Sequence, residues 1–242
     1  MAGIARRRGL LVWAIAGAIV LVVAGGTLLF GSLIGGTEVD PTTAPSESGG
    51  PGSPSPTQSV DGDVVDSGVS ERGWIPEPIT RDPEVYVRAA LEAAGTFDTA
   101  LSTRSEWVSW LQTWFTPSPL YDDPQDAADQ MAAYQAELDQ SVLLPQEAWD
   151  DLAREDGRVE AHVSGDIDYL ELEETTSKMM WTAIADVVLT YTRAAPGGDV
   201  GYDENVRVSV QVVCDGESVP TPGSAQRAGD CKVVRFFDEA VG

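Results

Sequence analysis

The chain has 242 residues, with 39 acidic against 15 basic side chains and a formal net charge of −24. So acidic a surface repels phosphate backbones and anionic headgroups, which argues against nucleic-acid binding and lipid-headgroup recognition. A single histidine, His162, and two cysteines, Cys214 and Cys231, leave no material for a multi-histidine metal site.

Residues 1–8 are a short basic N-terminus ending in Arg6, Arg7 and Arg8. Residues 9–36 carry no charge at all. At ~1.5 Å per residue, a helix from Leu10 to Phe30 matches the thickness of a bilayer's hydrocarbon core, so this stretch is expected to span a membrane. No Lys or Arg follows until Arg72. That asymmetry keeps the N-terminus in the cytoplasm and puts residues 37–242 outside. A cleaved signal peptide is the rival reading, but its apolar region runs only ~7–15 residues before a small-x-small site. Cleavage at Ala24-Gly25-Gly26 would leave Thr27-Leu28-Leu29-Phe30 on the product, so an uncleaved, single-pass anchor fits better. With Cys214 as the first cysteine, a lipoprotein signal is excluded.

Residues 37–73 are rich in Pro, Ser, Thr and Gly. Too few large apolar side chains stand here to offset chain entropy, which predicts a disordered tether with a reach of roughly 35 Å. An extracytoplasmic domain over 74–242 then hangs from it. Asp61, Asp63 and Asp66 superficially resemble a calcium loop, but the closing glutamate and the spacing are missing.

Asp82-Pro83 is an N-cap followed by proline at the first helical position, and Val85, Ala89, Ala93 and Phe97 follow at the helical period. Thr103 and Glu106 make a capping-box pattern ahead of Trp107, Trp110, Leu111 and Trp114. Such an aromatic stripe fits core packing better than a binding surface. Asp123-Pro124 repeats the cap, with Ala127, Met131, Tyr134 and Leu138 on one face, and Leu144-Pro145 opens a last short helix through Trp149 and Leu152.

After Gly157 the period becomes two. Arg158–Leu172 carries Val159, Ala161, Val163 and Ile167 on one face, with a slip at Tyr169-Leu170 that predicts a bulge. Met179–Arg193 is apolar on both faces; Val206, Val208, Val210 and Val212 alternate with polar residues; Cys231–Asp238 is the last strand. Long successive strands without intervening helices are antiparallel hairpins. The fold class is therefore α+β: N-terminal helices packed on a curved four-stranded antiparallel sheet. Cys214 and Cys231, both outside the cytoplasm in this topology, are expected to form one disulfide across the mouth of the last hairpin. It would contribute about 3 kcal/mol by loop entropy.

Chemistry is sparse. Glu160, His162 and Ser164 share a strand face, but side chains two apart stand ~6–7 Å apart, too far to relay a proton in that order. Asp186, flanked by Ile184 and Val188, could be a half-buried general base; a surface position explains it better. Asp166, Asp168, Glu171, Glu173 and Glu174 read as a solvated acidic run. The sequence assigns no catalytic residue, no cofactor and no metal site.

Helices followed by four long antiparallel strands, with patterns such as Glu106-Trp107-Val108-Ser109-Trp110-Leu111, resemble the nuclear-transport-factor-2-like cone fold. Together with the basic N-terminus, anchor and tether, residues 82–242 look like the bitopic inner-membrane scaffolds of conjugation and type IV secretion machines, including the TcpC-like conjugal transfer proteins. The Mce-associated membrane proteins that accompany lipid importers are similar in layout. The resemblance implies a non-catalytic scaffold whose partners are other envelope-complex proteins or further copies of itself. Two other classes stay open: a small-molecule binder or isomerase-like domain with Asp186 in an apolar pocket, and an extracytoplasmic sensor.

Overall fold

A computed structural model of the chain describes residues 63–170 and 180–237, all within the unit Thr57–Gly242. The membrane span proposed for 9–36 and most of the tether lie outside the described residues. Among the described residues, no helix is long and apolar enough to cross a membrane.

The helices begin where the sequence supplies acceptors for the free N–H groups of a first turn. Asp82 accepts from the amides of Glu84 at 2.9 Å and Val85 at 3.4 Å, opening α1, Pro83–Ala93. The chain then makes the two-residue strand β1, Phe97–Asp98. Thr103 and Glu106 form a reciprocal capping box at the start of α2, Arg104–Gln112. Backbone and side-chain donation from Thr103 holds the Glu106 carboxyl below the usual carboxylate range. Asp123 caps α3, Pro124–Glu137, through the amides of Gln125 and Asp126. A single π-helical turn, Leu138–Val142, follows, and then α4, Gln146–Ala153.

Four long strands complete one antiparallel sheet in the order β1-β2-β3-β4-β5: β2 is Arg158–Leu170, β3 Met180–Arg193, β4 Val200–Val213 and β5 Lys232–Phe237. The sheet thus has five strands rather than four. The extra one, β1, pairs only Phe97 with Val159 and Asp98 with Arg158, too short a run for periodicity to reveal.

Three further expectations need correction. Phe97 does not extend the first helical face, and Val85 is exposed; the buried face of α1 is Tyr86, Val87, Ala89, Ala90, Leu91 and Ala93. The helix stops because Gly95 passes so close to the sheet that a Cβ there would sit 2.7 Å from Ala161 Cβ and 2.8 Å from Leu189 Cδ2. The slip in β2 lies between Ser164 and Asp168, not at Tyr169-Leu170, and Gly165 takes a φ of 74° within it. There β2 advances four residues while β3 advances two, so side-chain parity survives and Tyr169 stays on the face of Ala183. Finally, residues 63–73 are folded rather than part of a disordered tether. Val65 N–H donates to Glu77 O at 2.9 Å, Ile79 N–H to Asp63 O at 2.8 Å, and a 3-10 helix, Ser67–Arg72, is capped by Asp66 and buries Val69.

The helices cover one sheet face, where Val159, Ala161, Val163, Ala183, Ala185, Val187, Val210 and Val212 are buried. Trp107, Leu111 and Trp114 lie in this core. Trp107 packs on Phe97 (centroids 4.7 Å) and Trp149 (5.6 Å), while the half-buried Trp110 stacks on Trp74 at 5.2 Å. Beyond β1 the outer edge of β2 is closed by side chains rather than a strand. Ala161 N–H donates to Thr96 Oγ1, Val163 N–H to Glu92 Oε1, and Arg88 Nη1 donates to Val163 O. α1 thereby removes an edge that could template pairing.

At the other side of the domain an ion pair is fully enclosed. Lys232 and Glu77 are each 1% exposed and 2.8 Å apart. The ammonium spends its three donors on Glu77, Thr221 Oγ1 at 2.7 Å and Thr113 O at 3.0 Å. Glu77 Oε1 also accepts from Tyr86 Oη at 2.7 Å and Gln226 Nε2 at 3.1 Å. One pair therefore joins the N-terminal segment, α1, the end of α2, the Asp215–Asp230 loop and β5. The same loop is closed by the Cys214–Cys231 disulfide, whose Cα atoms are 4.0 Å apart.

Removing one member of such a pair leaves the other charge buried. Lys232→Met is therefore expected to lower the unfolding free energy by about 3–5 kcal/mol, and adding Glu77→Gln should recover part of the loss. Urea unfolding of the two single variants and the double variant checks this; losses that simply add would show that the pair is not coupled. A second expectation concerns alkali. Burial and the nearby Glu77 raise the Tyr86 pKa well above 10, and burial pushes Tyr169 and Tyr191 up to about 12. In the unfolded chain these groups ionise near pH 10. Their contribution is thus intact below pH 10 and is lost as pH rises toward and past 12. Lys232, whose pKa burial lowers, works in the opposite direction as one group against three. Thermal unfolding between pH 9 and 12 should show a falling midpoint, and Tyr86→Phe should flatten the fall.

Candidate functional site

The sheet has two faces with different chemistry. Glu160, His162, Ser164, Asp186 and Arg207 occupy the face away from the helices, as the register of β2, β3 and β4 requires. His162 is 76% exposed at its side chain, and its Nδ1 lies 3.2 Å from Glu92 Oε1. Ser164 Oγ donates to the backbone carbonyl of Asp186 at 3.3 Å. Glu160, His162 and Ser164 therefore do not form a relay; each follows the strand's spacing and finds its own partner.

Asp186 sits in a cross-strand ion triad. Arg207 donates from Nη1 to Asp186 Oδ1 at 3.0 Å and from Nη2 to Asp168 Oδ2 at 2.8 Å. The triad ties β2, β3 and β4 together just past the bulge. Asp186 faces solvent, opposite Ala185 and Val187, so the reading in which it points into an apolar pocket is corrected. Within the acidic run, Asp168 is in this triad, and 171–174 lie outside the described residues. Among the described residues, no group of three or more His, Cys, Asp or Glu is placed to hold a metal ion.

The helix-side face opens into a cleft of about 420 Å³. Its walls are Leu91, Ala94 and Gly95 at the end of α1, Val142 of the π-turn, Val187 and Leu189 of β3, Val206 and Val208 of β4, and Phe236 and Phe237 at the C-terminal end of β5, with Arg207 and Ser209 completing the lining. Arg104 fixes the π-turn, donating to Asp139 Oδ1, Asp139 O and Leu144 O at 2.6–2.8 Å. That lining holds one ionisable residue, Arg207, and its guanidinium is engaged by Asp186 and Asp168. The cleft offers apolar contact and shape but no general acid or base.

Further along the same face, Tyr191 and Tyr202 stack with centroids 4.8 Å apart and planes 6° from parallel. With Leu152, Val200 and Gly201 they border a shallower groove of about 140 Å³. The sequence alone does not single out this apolar surface, because its walls come from elements far apart in the chain. The one local signal is that the alternation Val206-Val208-Val210-Val212 resumes, beyond Glu204, at Tyr202 and Val200. Glu77 and Lys232 are missed too; a rare lysine inside an otherwise apolar strand, Lys232-Val233-Val234, is the clue to a buried partner.

No protein-family model matches the sequence, and no curated protein matches it. Three solved structures are similar in arrangement, each over 64% of this chain. The periplasmic domain of DotI has 16% identity, 90% of its own length covered and a TM-score of 0.43. An IcmL-like type IV secretion system protein from Legionella pneumophila has 18% identity, 87% coverage and a TM-score of 0.41. CagV, a VirB8 homolog of the type IV secretion system of Helicobacter pylori, has 11% identity, 93% coverage and a TM-score of 0.36.

Proposed function

We propose that the chain is a membrane-anchored, non-catalytic assembly component of a bacterial envelope complex, of the conjugation or type IV secretion kind. The observation that carries this reading is the division of chemistry between the two sheet faces. Among the described residues, His162, Ser164 and Asp186 are each engaged in surface pairing, while the cleft on the helix side is lined mainly by apolar side chains. Such a domain acts by binding. The uncharged stretch 9–36, behind Arg6–Arg8, supports an anchor that holds the domain on the outer side. The helices-then-strands layout, shared with bitopic secretion scaffolds, supports the assembly role. The 420 Å³ cleft favours one alternative, a binder of small apolar molecules such as an accessory of a lipid importer.

Complementation of a deletion strain at matched protein levels tests the reading. His162→Ala and Asp186→Asn should leave the cellular role intact and change stability by less than about 1 kcal/mol, as exposed pairs do. Deleting residues 9–36, with export restored by a cleavable signal, should abolish the role while the domain stays folded. Full loss from Asp186→Asn at normal stability would revive a working carboxylate and overturn the proposal. Protease added to intact spheroplasts should remove the domain; protection until lysis would reverse the topology.

A further inference from the structure

The enclosed cluster around Glu77 holds more chemistry than an ion pair requires. Lys232 Nζ and Gln226 Nε2 both donate to the same atom, Glu77 Oε1, at 2.8 and 3.1 Å. Thr221 joins them on the other side: its Oγ1 lies 2.7 Å from Lys232 Nζ, and its backbone N–H donates to Gln226 Oε1 at 2.9 Å. That backbone donor fixes which way the carboxamide points, oxygen toward Thr221 and NH2 toward the carboxylate. Two shared partners therefore hold the lysine amine and the glutamine carboxamide side by side. Water is kept out. Lys232 and Glu77 are 1% exposed, Gln226 is buried, and so are Tyr86, which donates to Glu77, and Trp114, which packs on Tyr86.

Each group has a place in an acyl transfer. Burial lowers the Lys232 pKa, so its amine is more easily freed as a nucleophile. Glu77 stands within reach of both the nitrogen that loses protons and the nitrogen that must gain one. The Thr221 N–H faces the carbonyl oxygen where negative charge develops. A lysine held for charge pairing alone needs the carboxylate, but not a polarised carboxamide on the same oxygen. Reactants fixed in contact can dispense with an external enzyme for one turnover.

We propose that Lys232 and Gln226 join in an intramolecular isopeptide bond, formed by the folded chain itself with Glu77 as the proton carrier. The Lys232 ammonium passes a proton to Glu77, and the freed amine attacks Gln226 Cδ. The Cδ–Nζ bond forms, the Cδ–Nε2 bond breaks, and the electron pair pushed onto Oε1 returns to the carbonyl. Of the ammonium's protons, one stays on the new amide, one leaves with Nε2 as ammonia, and one remains on Glu77. No oxidant or cofactor takes part. The cluster ends without charge, so the desolvation cost of a buried ion pair is removed. The bond ties the Asp215–Asp230 loop to β5 independently of Cys214–Cys231, so reducing the disulfide no longer frees the loop. It is a single self-modification and stands apart from the assembly reading.

The test uses the full chain, purified in detergent micelles, incubated overnight, then reduced and alkylated. Its intact mass should lie about 17 Da below that of the alkylated sequence, the mass of one ammonia. Acylated Lys232 resists trypsin, so fragments 208–227 and 228–235 should stay joined. The same two fragments carry Cys214 and Cys231, and only a link that survives reduction counts. Glu77→Gln should lower the joined fraction at least about tenfold. Gln226→Met, which leaves Lys232 and Glu77 in place, should restore the full mass. The unmodified chain decides the matter even where a variant fails to fold: full sequence mass with cleavage after Lys232 would overturn the proposal. A loss of about 18 Da with fragment 73–81 joined to 228–235 would put the bond on Glu77 itself and overturn it as well. Undiminished joining in Glu77→Gln would overturn the proton carrier.

Discussion

The enclosed pair of Glu77 and Lys232 is the constraint around which one side of the domain is arranged. A lysine ammonium and a carboxylate at 1% exposure are tolerable only if every donor and acceptor finds a partner. The fold meets that demand by drawing in Tyr86 from α1, the Thr113 carbonyl at the end of α2, and Thr221 and Gln226 from the long loop ahead of β5. A hydrophobic replacement could match its stability, but it would not specify which five segments meet. The pair also explains why folded structure begins before Trp74: Glu77 pairs through its backbone with Val65, so residues 63–73 belong to the domain.

From that fixed side the sheet runs outward with declining support. Among the described residues β5 holds β4 as far as Ser209, and toward the far end Tyr191 and Tyr202 border a shallow groove with Leu152 of α4. On the β2 side, Thr96, Glu92 and Arg88 spend side chains to occupy backbone groups that a neighbouring strand would otherwise take. On the β4 side nothing among the described residues does so. The two edges thus differ: side chains close the one at β2, while an apolar cleft flanks the one at β4.

Much of this was legible in the sequence, and the reasons differ from element to element. The caps at Asp82, Thr103 and Asp123 are local chemistry, and each helix starts where they stand. The alternating strands are local too, and Cys214 and Cys231 pair as the hairpin layout requires. β1 was not legible because two residues carry no period. The bulge was misplaced because two inserted residues preserve parity, so the pattern of Val163 and Tyr169 hides where the insertion falls. Asp186 could not be placed by its apolar neighbours Ile184 and Val188, since only the register reveals Arg207 opposite it. The cleft was invisible for the same reason: Leu91, Val142 and Phe236 share a wall only after folding.

The central claim is that this domain works by contact, through the helix-side face of the sheet. Site-specific photocrosslinking in living cells tests it most directly, with a photoreactive phenylalanine derivative in place of Tyr202 and, as the opposite-face control, in place of His162. The account predicts an adduct with another envelope protein from position 202 and none from position 162. A functional chain that gives no adduct at position 202, or gives the same adduct from both faces, would contradict it.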